Sequence, residues 1–276
     1  MSRIVWLASW PKSGNTWLRI FLANFLSGGS VPVDINELDI HAASTRERFD
    51  QALGIESSDL TPDEIQCYRP AAYRQMASQA VDTLFFKVHD AFTIAASGEL
   101  LIPADASLGA VYIVRNPLDV AISAAHHGGI SVDESIRYMA DSVVASNPLR
   151  LDSHLKQIYL SWSAHVLSWL DQKALPVHLM RYEDMLSQPL EIFQCALRFL
   201  GLPDDEERVQ RALEFSSFQN LQRQEQARGF RERPAAATGS FFREGRAGQW
   251  RESLTTAQVD QIIHDHGAVM RRLGYL

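Results

Sequence analysis

Four clusters of cationic residues stand where chemistry on an anion could be done. They are Lys12 in Pro11-Lys-Ser-Gly14, Lys87 with His89, Arg115 ahead of Asn116-Pro117, and Arg243 with Arg246 in a glycine-containing stretch. A tight turn running into a helix leaves backbone N–H groups without internal partners, so with Lys12 it makes an anion site. This turn is P-loop-like only, because Gly-x4-Gly-Lys-Ser/Thr is not matched; an ordinary strand-to-helix turn with an exposed lysine is the other reading. Lys87 and His89 are two residues apart on a strand and so share a side. Arg115 ends another strand and either pairs with Asp119 or joins a shared anion site. Residues 222–249, rich in Arg, Gln, Gly and Ala, form either a linker or a mobile loop that folds over an anion.

The elements that must position these groups alternate strand and helix. Ile4 to Ala8 is an apolar run read as a buried strand, and Trp17, Leu18, Phe21, Leu22 and Phe25 follow at helical spacing. Residues 31–61 read as a long connection with short helices. Thr61-Pro-Asp-Glu64 opens a helix over about 62–80, with Thr as N-cap and Pro at the first position. Thr83 to Asp90 and Leu108 to Val114 are further strands, and Asn116-Pro117 caps the helix after the second. Helices are expected over 131–147, over 152–171 with Leu155, Tyr159, Trp162, Val166 and Trp169 on one face, and over about 188–200, 204–214 and 256–272. Leu175 to Tyr182 is the fourth strand. The alternation predicts α/β architecture: one domain over 1–276, with a central parallel β-sheet flanked by helices. In such sheets ligands sit beyond the carboxyl ends of the strands, where Lys12, His89 and Arg115 all fall.

A chain of 276 residues can bury a sizeable core, and 46% apolar with 21% charged residues is ordinary for a globular protein. The net charge of −7 argues against nucleic acid or an anionic membrane as a partner, so an anionic ligand needs a local basic pocket. Cys67 and Cys195 make neither a disulfide framework nor a zinc site. No run reaches the roughly 18 apolar residues of a membrane span. The first apolar run is broken by Pro11 and Lys12 and lacks a cleavage pattern, so no signal peptide is expected and a cytoplasmic enzyme is the default. His126-His127 and His264-Asp-His266 lack further clustered ligands and read as helix-surface histidines rather than a metal site.

Five segments, in order, resemble the cytosolic PAPS-dependent sulfotransferases, whose sulfate donor is 3′-phosphoadenosine 5′-phosphosulfate. Trp10-Pro-Lys-Ser-Gly-Asn-Thr-Trp17 is similar to the 5′-phosphosulfate loop, usually Tyr-Pro-Lys-Ser-Gly-Thr-Thr-Trp. Tyr112 to Ser123 is similar to the 3′-phosphate segment, Phe86-Lys-Val-His89 to the Lys-Thr-His strand, and Arg181-Tyr-Glu-Asp184 to the Tyr-Glu-Asp element. Phe242-Arg-Glu-Gly-Arg-Ala-Gly-Gln-Trp250 is similar to the Arg-Lys-Gly-x-x-Gly-Asp-Trp loop. The resemblance runs from residue 4 to about 260 and implies the P-loop-nucleotide-hydrolase-like sulfotransferase fold. It implies that Lys12, Ser13, Gly14, Asn15 and Thr16 hold the 5′ end of the donor, with Trp17 near the adenine. Arg115, Ser123 and Arg243, with the backbone of Gly245, would hold the 3′-phosphate; Tyr182, Ser217 and Phe218 would contact the adenosine. Three positions depart from the pattern: Glu244 replaces a lysine, with Arg246 as the candidate substitute, Asn15 replaces a threonine, and Gln249 replaces an aspartate.

The resemblance implies transfer of a sulfuryl group to a hydroxyl or amine of a small-molecule acceptor, leaving PAP, the desulfated nucleotide. His89 would accept the acceptor's proton, Lys12 would stabilise the leaving oxygen, Lys87 would support the sulfuryl or acceptor oxygen, and no metal is expected. The acceptor pocket would come from parts of 31–60, 90–100, 124–150 and 225–242. There Phe92, Tyr138, Met139, Phe230 and Phe241 either make it apolar, favouring an aromatic or lipophilic acceptor, or belong to the core. Arg251 to Asp260 is similar to a dimer-forming element of the family, which puts a homodimer among the expected assemblies. The alternatives are a P-loop-type kinase, which should need magnesium and ATP, and a non-catalytic protein that binds PAP.

Overall fold

All six residues of the first strand, β1 (Ile4–Ser9), are buried, as a continuous apolar run requires of a strand covered on both faces. The computed structural model describes residues 3–143, 145–146, 153–234, 237 and 239–276. It is an α/β structure with a five-stranded parallel sheet flanked by helices. The other strands are β2 (His41–Ala42), β3 (Leu84–Val88), β4 (Ser107–Val114) and β5 (Val177–Arg181). The sheet order is β2-β3-β1-β4-β5, so the order reverses at β1. In chain order the helices are α1 (Asn15–Ser27), α2 (Arg46–Leu53), α3 (Pro62–Gln79), α4 (Pro117–Gly128), α5 (Val132–Ala140), α6 (Trp162–Leu170), α7 (Tyr182–Ser187), α8 (Pro189–Phe199), α9 (Glu206–Phe215), α10 (Phe218–Arg228), α11 (Trp250–Ser253) and α12 (Thr256–Arg272). Among the described residues no helix is long and apolar enough to cross a membrane.

Contacts group the chain into two interleaved units: Met1–Trp10, Ile40–Tyr112 and Asp141–His178, then Pro11–Asp39, Ile113–Ala140 and Leu179–Leu276. All five strands begin in the first unit. There β1 and β3 run parallel with Trp6 opposite Phe86 and Leu7 opposite Lys87. Trp6 packs edge-on against Tyr73, and its indole N–H donates to the Ser107 hydroxyl at 2.8 Å. Phe49, Ile65, Ala72 and Leu155 form a second apolar cluster. Arg69 and Asp90 make an ion pair at 2.6 Å with both side chains fully buried, and the Tyr73 hydroxyl satisfies Arg69 further. Pairs of this kind hold geometry more than they add net stability, and removing one partner strands a buried charge.

In the second unit α1 packs on α9, α8 on α9, α4 on α5, and α12 on both α4 and α5. Its core includes Ile20, Ile35, Leu38, Leu221, Phe230 and Phe242. Met139 is fully buried as well, so Met139 and Phe230 are core residues rather than pocket walls.

The helix starts follow the local chemistry. Thr61 caps α3 with a full capping box to Glu64 and with Pro62 first, and Asn116 accepts from the Leu118 N–H to start α4. Thr255 and Gln258 cap α12 in the same reciprocal way.

Four expectations need correction. The helix expected over 152–171 occupies only Trp162–Leu170: Leu155 N–H donates to Ser44 O and Ile158 N–H to the Asp90 carboxylate, which uses that backbone in an extended path, and Ser161 starts the helix instead. Residues 151–152 lie outside the described residues. The helix expected over 131–147 stops at Ala140, with 144 and 147 outside the description. Part of the stretch 222–249 is helical, because α10 runs to Arg228, where Gly229 ends it; residues 235, 236 and 238 are not described. The connection 31–61 contains the edge strand β2, too short to show a period.

Candidate functional site

Every residue assigned to the donor falls in the second unit, and Lys87 and His89 fall in the first. Each group stands on its own geometry.

In the second unit, Pro11 opens a turn whose Lys12 has φ 68° and whose Gly14 has φ 107°. A lysine in the left-handed region is uncommon and costs free energy that the surrounding structure must supply. Gly14 is the N-cap of α1 and offers its opening N–H groups no side chain. A Cβ at Gly14 would come within 2.7 Å of the Tyr182 ring, so only glycine fits. Ser13 beside it is fully buried, and its hydroxyl has no partner among the described residues. Such an orphan costs about 1–3 kcal/mol unless something else bonds to it.

Arg115 is 8% exposed and lies over the Tyr182 ring at 4.5 Å. Its two terminal nitrogens donate to Lys12 O at 3.3 Å and Arg246 O at 3.2 Å, while its buried Nε has no partner among the described residues. The guanidinium thus joins the turn to the segment around Arg246. Asp119 does not pair with Arg115: its carboxylate accepts from Gly248 N–H at 2.6 Å and Trp250 N–H at 3.1 Å. Trp17 stands edge-on to Tyr182 at 6.2 Å and against Phe193 at 5.3 Å, and its buried indole N–H has no partner among the described residues. Burial pushes the Tyr182 phenol up, with Arg115 opposing.

Gly245, at φ 61°, lies so close to Phe218 that a Cβ would collide with the ring. Ser217, the N-cap of α10, makes no capping bond through its side chain. Arg243 donates to Gln249 Oε1 at 2.6 Å and Glu244 at 3.2 Å, and Arg246 is bound by Glu244 and Glu252. The candidate substitute cation at 246 is therefore neutralised by two carboxylates, and its backbone carbonyl is what meets Arg115. Partial burial, then the Arg243 cation, holds His126 below its ordinary value, with Glu244 opposing. Asn15 is buried, Thr16 is half-buried at the opening of α1, and Ser123 is half-buried on α4. The structure thus joins Lys12, Gly14, Trp17, Arg115 and Tyr182 by direct contacts and Phe218 to Gly245; no described contact joins Ser123 to them.

Two residues were missed by sequence reasoning. His127, expected on the helix surface, is half-buried with Nδ1 at 3.2 Å from Lys12 Nζ, which also lies 4.2 Å from the centroid of the Phe241 ring. The signal was available, since 127 is four residues after Ser123 and shares its helix face. Glu183 accepts from Asn116 N–H at 2.9 Å and the Tyr275 hydroxyl at 2.9 Å. His266, also expected on the surface, is buried, and burial pushes it down to about 4 with Asp265 opposing.

In the first unit, Phe86, Val88 and Asp90 are buried while Lys87 and His89 are half-buried, so the strand's period sets the last two on one side. His89 Nδ1 lies 2.8 Å from the Ser9 carbonyl. A carbonyl only accepts, so Nδ1 carries the proton and neutral His89 keeps its lone pair on Nε2. Tyr159 stands edge-on to the ring at 6.4 Å.

A sulfotransferase-domain family profile matches residues 2–274. The chain belongs to the sulfotransferase family. Sulfotransferase 1A1 of Canis lupus familiaris is 28% identical over 180 residues, covering 62% of this chain and 57% of that protein. Cytosolic sulfotransferase 13 of Arabidopsis thaliana is 26% identical over 267 residues, 93% of this chain and 73% of that protein. The chain thus spans little more than half of the canine relative. Among solved structures, mouse sulfotransferase SULT7A1 complexed with PAP has a TM-score of 0.58 at 19% identity, covering 98% of this chain and 85% of that one. Retinol dehydratase in complex with androsterone and PAP has a TM-score of 0.63 at 18% identity, covering 97% and 80%. At these identities the structures establish the shared sulfotransferase fold.

Proposed function

We propose that this sulfotransferase-family chain moves the sulfuryl group of PAPS to a hydroxyl or amine of a small, aromatic or lipophilic acceptor, as one domain with His89 as general base. The observation that carries the reading is the turn at 12–14. A buried Ser13 hydroxyl without a partner, a helix start without a side-chain cap and a left-handed lysine together make a cradle built for anionic oxygens. The relatives solved with PAP support a nucleotide of that kind.

PAPS supplies a sulfuryl group on a good leaving oxygen; the bond from sulfur to the phosphate oxygen breaks, one to the acceptor oxygen or nitrogen forms, and PAP leaves. Lys12, Ser13, Gly14, Asn15 and Thr16 hold the 5′ end, and Lys12 carries positive charge to the leaving oxygen. Arg115, Ser123, Arg243 and the Gly245 backbone hold the 3′-phosphate; Trp17, Tyr182, Ser217 and Phe218 hold the adenosine. Arg243 is the cation of the closing segment that answers to a neutral side chain, Gln249, as well as to Glu244, so a phosphate competes with only one carboxylate for it. His89 takes the acceptor's proton on Nε2 while Ser9 O holds Nδ1–H, and Lys87 steadies the acceptor oxygen. We place the protein in the cytoplasm, with a homodimer as the assembly to test.

Calorimetric titration with PAP, compared with ATP plus magnesium, tests the donor. The expected result is metal-independent PAP binding tighter than ATP, followed by transfer from labelled PAPS in a screen of phenols, aliphatic alcohols and amines. Preference for ATP with magnesium would sink the reading in favour of a kinase, and PAP binding without transfer to any acceptor class would leave a nucleotide-binding protein.

A further inference from the structure

The proton acceptor assigned above is anchored by a chain of groups that the reaction itself does not use. His165 on α6 is fully buried, and its Nε2 lies 3.1 Å from the backbone carbonyl of His89. Because that carbonyl can only accept, Nε2 bears a proton. Burial pushes His165 down to about 3, so the ring is neutral at working pH and Nδ1 must be an acceptor. The Tyr112 hydroxyl, 2.8 Å from Nδ1, is then the donor to it. Tyr112 in turn receives the Trp10 backbone N–H, and burial keeps its phenol protonated well above the ordinary range. The direction of every hydrogen in this chain follows from acceptor-only and donor-only groups: Trp10 N–H to Tyr112 O–H, to His165 Nδ1, and from His165 Nε2–H to the His89 carbonyl.

The same helix holds the residues after His89. Trp169, one turn beyond His165, donates its indole N–H to the Asp90 carbonyl at 3.0 Å, and Ser168 Oγ accepts the Phe92 N–H at 3.0 Å. Three side chains of α6 therefore grip three peptide groups of the segment 89–92. Asp90 is fixed besides by Arg69 and by the Ile158 N–H. Of these anchors only the one from His165 reaches the peptide of His89 itself.

We infer that His165, oriented by Tyr112, is a positioning residue that fixes the His89 backbone so that Nδ1–H stays on the Ser9 carbonyl and Nε2 is presented as the base. The inference rests on the proposed sulfuryl transfer for its kinetic consequence, but its geometric claim concerns the protein alone. A strand end held only by its own ladder bonds would let the imidazole swing, and a displacement of about 1 Å can cost roughly 10²-fold in rate.

The test compares His165→Leu, which fills the volume without a donor, with His165→Gln, whose amide N–H can reach the same carbonyl. Two readouts are taken: nitrogen-15 NMR of the His89 imidazole, which reports its tautomer, and steady-state transfer, with PAP binding as the check on the second unit. The expected result is that His165→Leu lowers kcat by about 10–100-fold with KM for the donor unchanged. Its His89 ring should lose the single Nδ1–H form, and His165→Gln should restore both to within a few-fold. A His165→Leu protein with wild-type kcat and one His89 tautomer overturns the inference, as does a His165→Gln protein that is folded yet no better than His165→Leu. If His165→Leu does not fold, Tyr112→Phe decides: loss of the fixed His165 tautomer with a fall in kcat supports the inference, and an unchanged His89 tautomer and rate refute it. If the wild-type protein transfers nothing to any acceptor, the functional reading fails, while the tautomer comparison still decides the anchoring.

Discussion

The strand end that carries His89 and the turn that carries Lys12 handle buried polarity in opposite ways. Around His89 the groups that matter are satisfied internally: its carbonyl by His165, its Nδ1–H by Ser9, and Asp90 by Arg69, Ile158 and, at its carbonyl, Trp169. Around Lys12 the fold leaves Ser13 Oγ and Arg115 Nε buried without partners among the described residues and holds a lysine at positive φ. The first region is prepared by folding, as the proposed role of His89 as base would require of a group that acts without reorganising. The second stores unsatisfied polar groups and strain, free energy that the proposed donor would recover on binding.

The sharpest break of this contrast is His89→Ala. It should lower kcat by about 10²–10⁴-fold with PAP affinity unchanged, measured by transfer kinetics alongside calorimetry. Equal loss of PAP affinity would mean the two regions are not separable. Next, Asp90→Ala should destabilise the fold by about 3–5 kcal/mol in urea denaturation, because Arg69 is left as a buried, unpaired cation. A loss below 1 kcal/mol would show that the strand end does not depend on the pair.

Ser13→Ala should move two quantities in opposite directions. The free protein gains about 1–3 kcal/mol because a buried orphan hydroxyl is gone, and PAP binding weakens because its partner is gone. Paired denaturation curves with and without PAP check this, and a less stable free protein would contradict the reserve described above.

The smallest effect is in pH. Buried His165 and His266 are held at about 3 and about 4, below the ordinary 6.5, so the unfolded chain binds more protons than the folded one between those values. Stability should therefore be full above about pH 6.5 and fall as the pH drops toward 4, by up to about 1.4 kcal/mol per pH unit per histidine. His165→Gln should flatten that slope by about one proton. An unchanged slope in urea midpoints would place His165 in contact with water.

What the sequence made legible was local. The limits of α12 and the start of α4 were readable because Arg271 and Arg272 close one helix and Asn116-Pro117 opens the other within a few residues. The turn before α1 was readable for the same reason, since Trp10 to Trp17 carries its cation and its glycine in one run. The amphipathic stripe through Leu155 and Tyr159 misled because apolar spacing does not reveal that Leu155 and Ile158 give their N–H groups to Ser44 and Asp90, more than sixty residues earlier. Asp119, His165 and Tyr112 act through partners 129, 76 and 53 residues away, and no pattern within one segment encodes such pairs. His266 was read as a surface residue because no further metal ligands cluster with it in sequence, a test that says nothing of how α12 packs.

The segment 243–250 is fastened largely by its main chain: Arg115 holds the carbonyl of Arg246, and Asp119 holds the N–H groups of Gly248 and Trp250. Main-chain atoms are the same whatever residue carries them. A loop moored in this way keeps its course while its side chains drift, so Glu244 and Gln249 can be exchanged without unmooring it. Side chains along it can then change one at a time without redesigning the loop that carries them.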